Sequence, residues 1–135
     1  DFWTDFNTYV QENHGQLKLR KPRPRHFYDV SIEGIPTTRA GLSLVVSFGK
    51  EFIRCEFYIP NNKELYRRMY EHKAEIESEL GFQLVWEELP KAKASSIFLK
   101  NEALKVKDRK TWEDSHKWLM ATASKIVEVF PKYYS

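Results

Sequence analysis

Residues 60–81 read PNNKELYRRMYEHKAEIESELG, and the reading of this stretch decides the fold. The pattern predicts one helix with both ends marked. Asn62 can cap the N-terminus, because its side-chain oxygen takes a free amide of the first turn. Gly81 stands where a left-handed C-terminal cap needs no Cβ. Leu65, Met69, Ile76 and Leu80 recur at spacings of 4, 7 and 4, a single apolar seam. Tyr66 and Tyr70 widen it, and Lys73 interrupts it. At ~1.5 Å per residue the helix spans roughly 27 Å, about the width of a small domain. The rest of the chain must therefore supply a sheet for the seam to lie on.

Working outward, strand signals flank the helix. Upstream, His26, Tyr28, Val30 and Ile32 alternate with Phe27, Asp29, Ser31 and Glu33. Leu42, Leu44, Val46 and Phe48 follow, then Ile53, Cys55, Phe57 and Ile59 alternating with Phe52, Arg54, Glu56 and Tyr58. Gly49-Lys50 between the last two predicts an antiparallel hairpin with a type II′ turn. Downstream, Phe82, Leu84 and Trp86 alternate toward a fourth strand, and Ser96 to Lys100 reads as a fifth. Strand, helix and strand together predict a crossover that sets the third and fourth strands parallel.

Phe2, Trp3, Phe6, Tyr9 and Val10 share one face of a first helix ending by Gly15. A last helix carries Trp112, Leu119, Ala123, Ile126 and Phe130, opened by the capping-box-like Thr111-Trp112-Glu113-Asp114 and ended by Pro131. The expectation is one α+β domain over residues 1–135, in the order α-β-β-β-α-β-β-α. Its sheet of about five strands is mainly antiparallel, apolar on one face and mixed on the other.

The chain of 135 residues is long enough for a real core, and 41% hydrophobic residues exclude disorder. No apolar run reaches the ~20 residues of a membrane span. Cys55 is the only cysteine, which forbids an internal disulfide and fits a reducing cytosol, so a cytoplasmic location is expected. Its place in an apolar alternation points to core packing rather than a reactive thiol. The chain begins at Asp1 rather than Met, as a trimmed chain or a piece cut from a longer protein would.

Net charge is +3 but unevenly spread. Residues 16–26 hold Lys18, Arg20, Lys21, Arg23 and Arg25 and no acid. Residues 91–110 hold seven bases against Glu102 and Asp108. Each stretch is +5, so the remainder is −7. Pro22 and Pro24 stiffen the first stretch toward an extended form that displays its bases in water. Followed by His26, Phe27 and Tyr28, it combines phosphate-pairing charge with ring faces that stack on bases. Lys18, Arg20, Lys21, Arg23 and Arg25 are therefore the candidate DNA- or RNA-binding residues, although Tyr28 is expected in the core.

Other chemistries fare less well. His14, His26, His72 and His116 are scattered, with no HExxH and no cysteine pair, so no metal and no cofactor is implied. The element order is also that of a restriction-endonuclease-like core. Such a nuclease needs E-x-K on a strand, and the one E-x-K here, Glu71-His72-Lys73, lies on the helix. Asp29 and Glu56 are the carboxylates that could meet across the sheet. A protein-interaction or homodimerisation domain is the alternative reading, from Tyr66, Tyr70, Trp118, Tyr133 and Tyr134 flanking the helical seams.

Lys73-Ala74-Glu75-Ile76-Glu77, Leu84-Val85-Trp86-Glu87 and Lys93-Ala94-Ser95-Ser96-Ile97, with Phe2-Trp3 and Trp118-Leu119, carry a resemblance over nearly the whole chain. The sequence resembles a bacterial family of domains of unknown function, often found C-terminal to PD-(D/E)XK nuclease-like domains in longer proteins. Ser96 stands where that family has a base. The resemblance implies work near DNA, in defence or repair, and no catalytic residue. Trp86 and Ile97 read as core pins, and Glu87 is expected to pair with Lys93 across the Pro90 turn. An accessory binding module rather than an enzyme is the expectation.

Overall fold

The apolar alternations become strands in the computed structural model, which describes residues 1–134. β1 (Phe27–Val30), β2 (Gly41–Ser47), β3 (Phe52–Ile59), β4 (Val85–Glu87) and β5 (Ser95–Asn101) form one sheet in the order β1-β2-β3-β5-β4. Every neighbouring pair is antiparallel. Tyr28, Val30, Leu42, Leu44, Val46, Ile53, Cys55, Phe57 and Ile59 point into the core, and their alternates face outward. Burial pushes the Cys55 thiol far above its ordinary pKa, so it packs as a small hydrophobe.

Two strand expectations need correction. β3 and β4 do run in the same direction, but β5 lies between them and is antiparallel to both. β5 has four consecutive buried residues, Ser95 to Phe98, whereas β4 has three residues and none buried. The more buried strand takes the inner position, and the short one takes the edge. The β2–β3 turn is not type II′. Ser47 pairs with Phe52, so four residues form the loop. Glu51, not Gly49, adopts the positive φ, at 55°.

The helices are α1 (Phe2–Glu12), α2 (Lys63–Glu71), α3 (Lys73–Leu80), α4 (Trp112–Val129) and the short α5 (Pro131–Tyr134). The α+β order matches expectation, except that residues 60–81 form two helices instead of one and that the short α5 begins at Pro131, the expected end of the last helix. At His72 (φ −101°, ψ 17°) the amide bonds to the Met69 carbonyl at 2.9 Å, three residues back, and the ladder tightens and breaks. The seam survives the break, with Leu65, Met69, Ile76 and Leu80 all buried. Both predicted caps are present: Asn62 Oδ1 accepts from the Leu65 amide at 3.0 Å, and Gly81 has φ 85°. Tyr66 joins the core, but Tyr70 is half exposed.

All of this helical mass lies on one side of the sheet. Trp3 and Phe6 of α1 pack on Tyr28, and Phe130 beyond α4 packs on Phe57. Tyr66 of α2 meets Trp86, whose register partner Ile97 lies beside Phe57. Gly15, after α1, is needed for close approach: a Cβ there would sit 2.7 Å from Val10 Cγ1 and 2.8 Å from Met120 Sδ.

Glu77 joins the segments around the helix. It accepts from Lys73 Nζ at 2.9 Å, from the Leu84 amide at 2.7 Å and from Trp86 Nε1 at 3.0 Å. Desolvation alone would raise its carboxyl, but these donors hold it below the usual range. Glu87 and Lys93 form no ion pair among the described residues. The neighbouring Glu88 instead binds Arg67 at 2.7 Å, and Lys63 Nζ ties the carbonyls of Glu88, Leu89 and Ala94. The capping box at Thr111 is also absent. Its hydroxyl donates back to the carbonyls of Lys105 and Asp108, both at 2.8 Å, because a 3-10 turn (Arg109–Thr111) precedes α4.

His116 of α4 is buried against α1, where its Nε2–H donates to the Phe2 carbonyl at 3.0 Å. Burial holds its pKa down to about 4, despite that bond and the Asp5 charge. The folded state therefore keeps it neutral while the unfolded chain protonates near 6.5. Stability is unaffected above that value and falls as pH drops from 6.5 toward 4. Melts at pH 7 and pH 4.5 should show His116 contributing a loss on the order of 2–3 kcal/mol, reduced in His116→Gln. Equal pH sensitivity of the two proteins contradicts this.

Candidate nucleic-acid interface

The basic stretch is strapped to the fold through its backbone. Leu17 is buried, and Lys18 bridges to Ser31 beside β1. The Arg20 amide donates to the Tyr28 hydroxyl at 2.6 Å, and that hydroxyl donates to Asn7 Oδ1 at 2.7 Å. Asn7 Nδ2 returns a bond to the Arg20 carbonyl at 2.9 Å, and Trp3 Nε1 holds the Arg25 carbonyl at 2.7 Å. The Tyr28 ring sits in the core, as expected, between Trp3 and Phe6. Its burial raises the phenol pKa, partly offset by the bonds to Arg20 and Asn7. The stretch is thus an anchored strap instead of the free extended arm expected from Pro22 and Pro24. It also turns: the Arg25 amide bonds to the Arg23 carbonyl at 2.7 Å across Pro24.

Anchoring the backbone leaves the charges outside. All five bases are exposed, and among the described residues none of them makes an ion pair. Arg20, Lys21, Arg23 and Arg25 line an open groove of about 410 Å³ with Phe27, Tyr28 and Asp29. Lys18 is not part of that lining. The Arg25 guanidinium lies 4.6 Å from the Phe27 ring centroid. His26, beside it, is exposed and packs edge-on to Phe27.

The groove opens toward the sheet face that no helix covers. A second groove of about 420 Å³ shares Arg20 and Asp29 and continues past Gly41 and Ser43 to Tyr58. Further across, Arg54 sits 4.9 Å from the Phe98 centroid and Lys100 sits 5.0 Å from that of Phe52. These two cations are partly neutralised, by Glu56 at 2.9 Å and Glu102 at 3.3 Å. Beside these paired cations the strap's bases are unpaired, as are the exposed Lys91, Lys93, Lys105, Lys107 and Lys110 elsewhere among the described residues. Sequence reading singled out its bases and Phe27 but missed Gly41 and Tyr58. The outward alternation of Phe52, Arg54, Glu56 and Tyr58 is the signal that carried Tyr58; nothing in it marks Gly41.

Asp29 and Glu56 share a row on this face with Ser43 between them. Asp29 accepts from Ser43 Oγ at 2.5 Å, while Glu56 takes Arg54 and Ser96. Each carboxylate is satisfied by its own neighbours, so they do not face each other as a metal-binding pair would. Among the described residues no three His, Cys, Asp or Glu side chains converge. Of the second basic stretch, Arg109 pairs with Asp5 at 3.6 Å and covers the Trp112 ring, which shares a separate hollow with Pro24, Arg25 and His26. The flanking aromatics mostly serve the monomer: Tyr66 is buried, and Trp118, Tyr133 and Tyr134 pack on the core.

The Tyr28 hydroxyl should be what holds the strap down. Tyr28→Phe keeps the ring and removes the hydroxyl's bonds to Asn7 and to the Arg20 amide and carbonyl, for an expected loss of about 1–2 kcal/mol. Trypsin should cut after Arg20 faster than in the wild type, read by mass spectrometry of native digests. An unchanged rate would show that the hydroxyl does not hold it.

No helix among the described residues is long and apolar enough to cross a membrane. No curated protein and no solved structure matches the chain. The family model described as "Domain of unknown function (DUF4268)" matches residues 1–134. A match of that extent, over α1 through α5, makes this chain a member of the DUF4268 family.

Proposed function

We propose that this chain is an accessory module that holds nucleic acid, gripping phosphates with Arg20, Lys21, Arg23 and Arg25 and with Lys18 nearby. The observation that carries this reading is the strap itself: its backbone is fixed by Tyr28, Asn7 and Trp3, while its five bases are exposed and, among the described residues, without carboxylate partners, Arg20 bonding only to the Ser31 hydroxyl. Fixing the backbone before binding lowers the ordering cost of recognition. Phosphate contacts of this kind give affinity without sequence preference. The resemblance to a family whose members often stand beside nuclease-like domains favours DNA as the partner, in cytoplasmic defence or repair.

A protein-interaction or homodimerisation domain is the second reading, favoured by Tyr70, Val85 and Leu89, all at least 40% exposed near the outer edge of β4. It requires a solution mass that rises with concentration and is indifferent to DNA.

Binding of short labelled DNA at about 50 and about 200 mM salt separates the readings. Four phosphate contacts predict a roughly 50- to 150-fold loss of affinity between the two. Lys21→Glu with Arg23→Glu should abolish binding while leaving the melting temperature unchanged, since neither side chain has a partner among the described residues. Absence of binding at the lower salt, or binding unaltered by the double reversal, would overturn the proposal.

A further inference from the structure

We infer that the site takes a single strand rather than a duplex, with the strap on the phosphates and unstacked bases lying along the uncovered sheet face toward Tyr58. This rests on the nucleic-acid reading above and deepens it. The basic groove does not end at the strap. It meets the second groove at Arg20 and Asp29, and that groove runs over β2 to the Tyr58 ring, which is 45% exposed.

The register gives the length of the path. Phe27 lies opposite Val45, and Tyr58 lies opposite Gly41. Four residues of β2 separate these positions, roughly 13 Å at ~3.3 Å per residue, and the two strand spacings from β1 to β3 add roughly 9.5 Å sideways, so the path is roughly 16 Å. Sheet faces that stack two or three bases are of this order. A ring is present at each end, Tyr58 and a Phe27 that carries the Arg25 guanidinium, and every base offers a π-face to a ring or a guanidinium plane. Between them, Gly41 and Ser43 keep the floor low, and a Cβ added at Gly41 would meet nothing within 4 Å. In a duplex the bases are already stacked on one another and unavailable to these rings. The face also presents no helix or ribbon to enter a major groove.

The charges agree with this division. On the sheet face Arg54 is paired with Glu56, and Asp29 is bonded to Ser43, so the face adds little net attraction for phosphate. The strap's unpaired bases lie along the β1 side, where the strand's backbone would run.

Titrating a 12-nucleotide thymidylate strand, a 12-nucleotide uridylate strand and a 12-base-pair duplex at low salt tests the inference. One of the two single strands should bind at least roughly tenfold tighter than the duplex. These two strands differ in both the 2′-hydroxyl and the thymine methyl, so a 12-nucleotide deoxyuridylate strand, compared with uridylate, identifies the sugar. Tyr58→Ala and Gly41→Val, the second filling open space in a strand, should each weaken single-strand binding roughly 5- to 100-fold and leave duplex binding unchanged. Circular dichroism and melting confirm that both variants fold. Equal affinity for strand and duplex, or single-strand binding unaltered in both variants, overturns the inference while leaving the strap's role intact. No binding of any probe removes the underlying reading instead.

Discussion

Every helix of this chain packs on the same face of the five-stranded sheet, and this constraint organises the rest. The inward alternates of β1 and β3 meet Trp3, Phe6 and Phe130, those of β2 are buried beside them, and the outward alternates stay partly or fully exposed. A sheet so built has one buried face and one available face. The strap between α1 and β1 must pass the edge of that available face. Its course is set where Tyr28, a core ring with a polar tip, reaches through to the Arg20 amide.

The residues that carry the family resemblance prove to be scaffold. Glu77 takes Lys73 from its own helix and Leu84 and Trp86 from the following strand segment. The Lys-Ala-Glu-Ile-Glu and Leu-Val-Trp-Glu segments are thus two halves of one polar clasp. A carboxylate that satisfies a backbone amide, an indole and an ammonium at once cannot be exchanged without orphaning a donor. Such a clasp fixes the entry into β4 and leaves the chemistry of the opposite face free to differ.

Much of the fold was legible because period and burial coincide. The alternation at Ile53, Cys55, Phe57 and Ile59 could be satisfied only by a half-covered strand, and Asn62 and Gly81 mark helix ends by local chemistry alone. What was not legible depended on contacts distant in sequence. Nothing local says that β5 would insert between β3 and β4. The break at His72 leaves the seam's spacing intact, so periodicity is blind to it. The Ser47–Phe52 register chose the turn, not the glycine. At the candidate site the bases were visible as a charge run, but their anchoring needed Asn7 and Tyr28 brought together from α1 and β1. Gly41 and Tyr58 face each other across two strands that only the register aligns.

The central claim is that the strap and the uncovered sheet face form one surface while the helical side is scaffold. Backbone hydrogen exchange, with and without a saturating amount of the tighter-binding of the thymidylate and uridylate strands at low salt, tests it most directly. The account predicts added protection over residues 18–29, 41–43 and 58, with α2, α3 and α4 unchanged. Protection confined to the helical side or to the β4 edge would contradict it.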